Sequence, residues 1–220
     1  MHRSMHTSRT GLKVFLAPDS LPTSFYEENF KMAQIHRMSD KYFESVASYN
    51  YLMMQPSIYN RFADYRFMLV VQTDAVLLKA VDLDSLTDFD FIGAPWPSSL
   101  YYLSIGPRLI VSDGSDPSKN RVRGALIRFF GQSTTVGNGG LSVRKTSSFA
   151  SVTHLLIHQS AHLHEKGINE DVVFSTRGRQ LGLRIAPPEL AEELFRERIT
   201  LAAAEQLGIY GVHAPNDEIE

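Results

Sequence analysis

The chain has 220 residues, with 22 Lys plus Arg against 24 Asp plus Glu, and 43% of its residues are hydrophobic. That is enough ordinary globular sequence for one domain with its own core. The formal net charge of −2 excludes the broad basic surface of a non-specific nucleic-acid binder, and the absence of cysteine excludes disulfides and Cys-based zinc sites.

In chain order, residues 1–11 are polar and aperiodic and predict a loose arm, residues 12–214 read as one domain, and 215–220 as a tail. The apolar run Val14-Phe15-Leu16-Ala17 ends at Pro18 and predicts a short buried strand. It is too short for the core of a signal peptide, and no apolar stretch nears the roughly 20 residues of a spanning helix. A cytoplasmic protein without a membrane span is expected. Ser24 followed by Glu27 reads as a capping box opening a helix. Residues 43–54 carry apolar side chains at helical spacing, and Pro56 should break that helix or restart it.

Phe67-Met68-Leu69-Val70-Val71 is the strongest strand signal. A short continuous apolar run predicts burial on both faces, as in a parallel sheet covered by helices. Residues 89–94 predict a second short strand closed by Pro95, and 112–123 a polar surface loop. Gly137-Asn138-Gly139-Gly140 leads into a strand at Leu141-Ser142-Val143. Helices are expected over 147–166, 169–180 and 189–196, with a strand over 183–186. Alternating strands and helices predict an α/β domain.

Four places could carry chemistry. Asp74 lies just past the Phe67–Val71 run, at the strand edge where open α/β sheets gather ligands. There a carboxylate either ligates a hard cation or simply terminates the strand. The glycines around Asn138 allow close approach of a ligand, although an ordinary tight turn needs the same residues. Glu170 and Asp171 open a predicted helix, where the dipole favours acids, and a carboxylate in a cleft also suits a general base. His213 reads as a surface residue or as an imidazole completing a metal shell begun by Asp74. His154, His158, His162 and His164 crowd one helix, but Gln159 stands where HExxH needs Glu, so a solvated face is expected.

Read together, Gln72-Thr73-Asp74-Ala75, Asp90-Phe91-Ile92-Gly93-Ala94-Pro95-Trp96, Val136 to Arg144, Asn169-Glu170-Asp171-Val172 and Gly211-Val212-His213 resemble a family of glycosyltransferases catalogued as a domain of unknown function. The resemblance implies a GT-A-like fold: a single domain with a mixed, mostly parallel central sheet flanked by helices. It implies a nucleotide-sugar donor, a carbohydrate or other hydroxyl acceptor, and a divalent cation, manganese or alternatively magnesium. Asp74 matches the second acid of the metal-binding motif, with Gln72 in place of the first, and His213 matches the C-terminal metal ligand. Asn138, Gly139 and Gly140 match the segment under the transferred sugar, and Glu170 and Asp171 match the acidic pair that supplies the base. The first βα unit of such domains has no counterpart here, which leaves a truncated or degenerate transferase, acting as a non-catalytic carbohydrate-binding or scaffold domain, as the alternative expectation.

Overall fold

The computed structural model describes residues 11–31, 33–105, 108–112, 130–165 and 167–216. All but the last residue of the expected arm over 1–11, most of the loop over 112–123 and the end of the 215–220 tail lie outside the described residues.

Strand β1 (Lys13–Pro18), helix α1 (Ser24–Asn29) and strand β2 (Ala33–Met38) come first, with β1 and β2 paired in parallel from Lys13↔Ala33 to Pro18↔Met38. The crossover passes through α1, since a parallel return needs a dozen or so residues. The predicted capping box does not form. The N-cap is Thr23, without a side-chain cap bond, and its hydroxyl donates instead to Glu27 Oε1 at 2.6 Å. Helices α2 (Val46–Met53) and α3 (Pro56–Asn60) follow. A capping box between Ser45 and Ser48 opens α2, and Pro56 starts α3 at the first-turn position where a missing N–H costs nothing.

Strands β3 (Phe67–Val71), β4 (Ala75–Leu77), β5 (Phe91–Gly93), β6 (Pro95–Ile105), β7 (Arg108–Ser112), β8 (Gln132–Val136) and β9 (Leu141–Lys145) build the middle of the chain. Helices α4 (Thr146–Glu165), α5 (Glu170–Val173) and α6 (Pro188–Leu194), strand β10 (Phe195–Glu197), helix α7 (Leu201–Leu207) and strand β11 (Gly211–His213) complete it. The described strands form four small sheets, ordered β1-β2, β10-β11-β4, β3-β9-β5 and β7-β6-β8.

The expected mostly parallel sheet is corrected here. Among the described strands β1 with β2 and β10 with β11 pair in parallel, whereas β9 runs antiparallel to both β3 and β5, and β6 antiparallel to β7 and β8. The apolar run of β3 encodes cover on both faces, which the fold supplies. Met68 and Val70 pack on a core built from α2, α3 and α4, and Phe67, Leu69 and Val71 pack on a second core containing Leu77, Val143 and Ala191. Direction was never in that pattern, because an antiparallel strand covered on both faces reads the same way.

Other boundaries moved for local reasons. Pro95 begins β6 rather than closing β5, at a first-residue position that needs no ladder donor. The helix expected over 169–180 is four α-helical residues followed by a π-helical turn, Phe174–Gly178. Residues 183–186 contribute one parallel bridge, Ile185 to Phe91, and the helix expected over 189–196 ends at Leu194 because Phe195–Glu197 is a strand.

Candidate active site

Three chain segments meet at the carboxyl end of β3. Gln72 N–H donates to Gly140 O at 2.8 Å, which sets the glycine turn beside the strand end. Strand β11 pairs antiparallel with β4 in the register His213↔Ala75, and Ala214 N–H donates to Asp74 O at 2.8 Å. That register brings His213 Nε2 to 3.5 Å from Asp74 Oδ1. Asp74 is 55% exposed and His213 only 13%, so the pair faces outward from a closed base. Strand β10, parallel to β11 in the register Glu197↔His213, places Glu197 Oε1 3.5 Å from the other ring nitrogen, Nδ1.

Asn138 locks the turn to this imidazole. Its Oδ1 accepts from Gly140 N–H at 2.8 Å and from Leu141 N–H at 3.3 Å, which orients the amide. Its Nδ2 then donates to His213 Nδ1 at 2.9 Å and to Glu197 Oε1 at 3.3 Å. With Nδ1 accepting, the ring proton sits on Nε2, a buried atom without a hydrogen-bond partner. A Cβ at Gly140 would land inside van der Waals distance of both His213 Nε2 and Gln72 Oε1, so these two polar atoms border one small space that only glycine leaves open.

The acids sit on the turn's other side. Asn169 takes the N-cap backbone conformation of α5, but its Oδ1 accepts from Asn50 Nδ2 at 2.8 Å, tying α5 to α2. Asp171 is partly buried. Its Oδ1 accepts from Val172 N–H at 2.7 Å and its Oδ2 from Gly139 N–H at 3.3 Å. Burial, followed by the neighbouring charge of Glu170, outweighs these bonds and the pull of Arg144 and pushes the Asp171 carboxyl up to about 7. Glu170 is 2% exposed, and its Oε1 receives Arg144 Nη2 at 2.6 Å. Among the described residues the geometry therefore separates the two acids: Asp171 accepts from the turn's Gly139 N–H, and Glu170, packed against the turn, is a buried counter-ion.

Residues 32–210 match the family model described as "Protein of unknown function (DUF5672)". The chain belongs to that family. No curated protein matches it.

For this DUF5672 member the cation expected by resemblance can be tested against the side chains present. Among the described residues no group of three His, Cys, Asp or Glu side chains is arranged to hold an ion. The orphaned His213 Nε2, Asp74 Oδ1 beside it and Gln72 Oε1 across the Gly140 gap supply one nitrogen and two oxygens. That mixture fits manganese or magnesium only with further oxygens from a ligand. Ligation through Nε2 would need the ring proton on Nδ1, facing Glu197 Oε1 at 3.5 Å, and the Asn138 amide that now donates to Nδ1 would have to release the ring. His154, His158 and His162 are exposed on α4, as a solvated face requires, and nothing is described of the His164 side chain.

Three site residues were missed in the sequence. Arg144 stands two positions after Ser142 on the same face of β9, and that period-2 spacing was available to mark it as inward-facing. Tyr49 reaches the Gln72 side chain with a hydrogen bond, and burial raises its hydroxyl pKa against the pull of Arg144. Glu197 carried no local signal, since only the β10–β11 register makes it face His213.

Proposed function

We propose that this protein is a metal-dependent glycosyltransferase that moves a sugar from a nucleotide-sugar donor to an acceptor hydroxyl. The observation that carries the reading is the Asp171 carboxylate, poised near neutral pH on the same glycine turn whose far side borders His213 and Gln72, with Asp74 beside His213. A base is most effective when its pKa lies near the working pH. Asp171 takes the acceptor's hydroxyl proton while that oxygen bonds to the anomeric carbon. The bond from that carbon to the diphosphate breaks, and the nucleoside diphosphate departs with the electron pair. Asp74, His213 and Gln72 would hold the cation, which when bound neutralises charge on the departing diphosphate. Asn138 keeps the turn and the imidazole in one arrangement, and the missing side chains of Gly139 and Gly140 let Glu170 on one side and His213 with Gln72 on the other pack directly against the turn on which the transferred sugar would lie.

Titration calorimetry with UDP, GDP and CDP in the presence of manganese tests the reading. At least one should bind, and chelation of the metal should abolish that binding. Failure of all three to bind would overturn the assignment and leave a carbohydrate-binding or scaffold domain.

A further inference from the structure

Arg144 and Glu170 are both fully enclosed, and the reaction above uses neither. Arg144 is 0% exposed, with its guanidinium carbon 5.7, 5.5 and 5.6 Å from the ring centres of Phe91, Phe149 and Phe174. Each polar arm is spoken for: Nε donates to Ser142 Oγ at 3.1 Å, Nη1 to Tyr59 Oη at 2.9 Å, and Nη2 to both Gly139 O at 3.1 Å and Glu170 Oε1 at 2.6 Å. Burying such a pair is costly, and hydrophobic replacements of similar volume often stabilise a protein. Stability alone is therefore a weak account of this pair.

The Gly139 peptide shows what the pair does. Its carbonyl is held by Arg144 and its N–H holds Asp171 Oδ2, so one residue links the two acids. A Cβ at Gly139 would collide with the Glu170 carboxylate, so that carboxylate lies directly against the turn. Its second oxygen, Oε2, is buried without a hydrogen-bond partner and leaves negative charge facing this turn.

We infer that Glu170, anchored by Arg144, is the positioning residue of Asp171: together with Arg144 it clamps the Gly139 peptide against the Asp171 carboxylate and sets its own carboxylate beside it. This rests on the reading of Asp171 as the base, and it assigns Glu170 no contact with substrate. The charged and titratable groups facing Asp171 are Glu170 on its own helix, Arg144 on β9 and Tyr49 on α2, with Tyr59 on α3 behind Arg144. Burial is the first cause of the high Asp171 pKa and the Glu170 charge the second, while Arg144 opposes both. Removing the Glu170 charge should therefore lower that pKa.

The test needs no substrate. Carboxyl carbon NMR of the whole chain follows Asp171 through a pH titration, and the amide signal of Gly139 is followed in parallel. Wild-type protein should show Asp171 titrating near neutral pH with the Gly139 amide moving at the same midpoint. Glu170→Gln should lower that midpoint by about a unit or more, because a like charge beside a carboxyl raises it. Glu170→Asp, which keeps the charge, should stay with the wild type. A Glu170→Gln midpoint equal to wild type overturns the electrostatic part. A Gly139 amide that ignores Asp171 titration overturns the clamp, and this wild-type measurement decides even where a variant does not fold. Failure of nucleotide binding would sink the transferase reading and leave these titrations standing, so the two failures are distinguishable.

Discussion

His213 Nε2 and Asp74 Oδ1 face each other at 3.5 Å because the β4–β11 ladder pairs His213 with Ala75, the residue after Asp74. The pair supplies only two donors, and manganese should bind weakly until a nucleoside diphosphate adds oxygens. Cooperative binding of metal and nucleotide is the expected result. Asp74→Ala and His213→Ala should each abolish the coupling in calorimetry, and the double variant should be no worse than either, since one loss already opens the site. If His213→Ala keeps the coupling while Asp74→Ala loses it, the imidazole is not a ligand.

Gly140→Ala tests whether Gln72 and His213 share the proposed cation position. The added methyl would meet His213 Nε2 and Gln72 Oε1. Forcing a methyl into a packed position costs about 1–3 kcal/mol. Metal-dependent nucleotide binding should be lost while the circular dichroism spectrum stays native, and an alanine variant that binds like wild type would show that Gln72 and His213 do not close on a common ligand.

Asp171 links the site to stability. Its folded pKa of about 7 lies above the ordinary carboxylate value, so the native state holds a proton that the unfolded chain has released. Stability should therefore be highest below pH 4 as far as this group is concerned, and decline as pH rises towards 7. Asp171→Asn removes that slope. Above pH 7 it should melt higher than wild type, by on the order of a few kcal/mol in stability, while transfer falls by about 10² to 10⁴. Parallel melting curves of the two proteins from pH 4 to 8 would refute the perturbed carboxyl.

Trp96 is the only tryptophan in the chain, which makes its emission a reporter of one place. Its ring tip approaches the space above Gly137, close to Ser175 Oγ, which donates to Asp171 O at 2.7 Å. Occupation of the turn by nucleotide and manganese should change its emission saturably, with the same midpoint as calorimetry. A flat fluorescence titration alongside positive calorimetry would place the nucleotide away from Gly137.

Asp90 provides a control outside the chemistry. Burial pushes its carboxyl up, but the Arg184 backbone and side chain and the Ser148 hydroxyl pull harder, so its pKa ends below the ordinary value. Its stabilisation is present above the unfolded pKa and is lost as pH falls through the folded one. Asp90→Asn should cost about 1–3 kcal/mol at pH 7 and leave nucleotide binding unchanged, because Asp90 precedes β5 at the end away from the glycine turn. Equal stability of the two proteins would show that this network is solvated rather than structural.

Short-range order was legible in the sequence. The apolar run Phe67–Val71 named a strand covered on both sides, Pro56 a helix break or restart, and Gly137 to Gly140 a turn beside a strand, because each depends on neighbours within a few residues. Asp74, Asn138, Asp171 and His213 could be picked out as chemical candidates by residue type and by resemblance. Tertiary structure alone decided the rest. Strand direction followed from which strand β9 lay between, and the meeting of His213 with Asp74 and Glu197 followed from two ladder registers joining distant segments. The division of labour between adjacent Glu170 and Asp171 could not be read from their identical charge. It arises because helical geometry turns one carboxylate towards a buried Arg144 and the other towards the Gly139 N–H, and burial with the nearby charge then sets their chemistry apart.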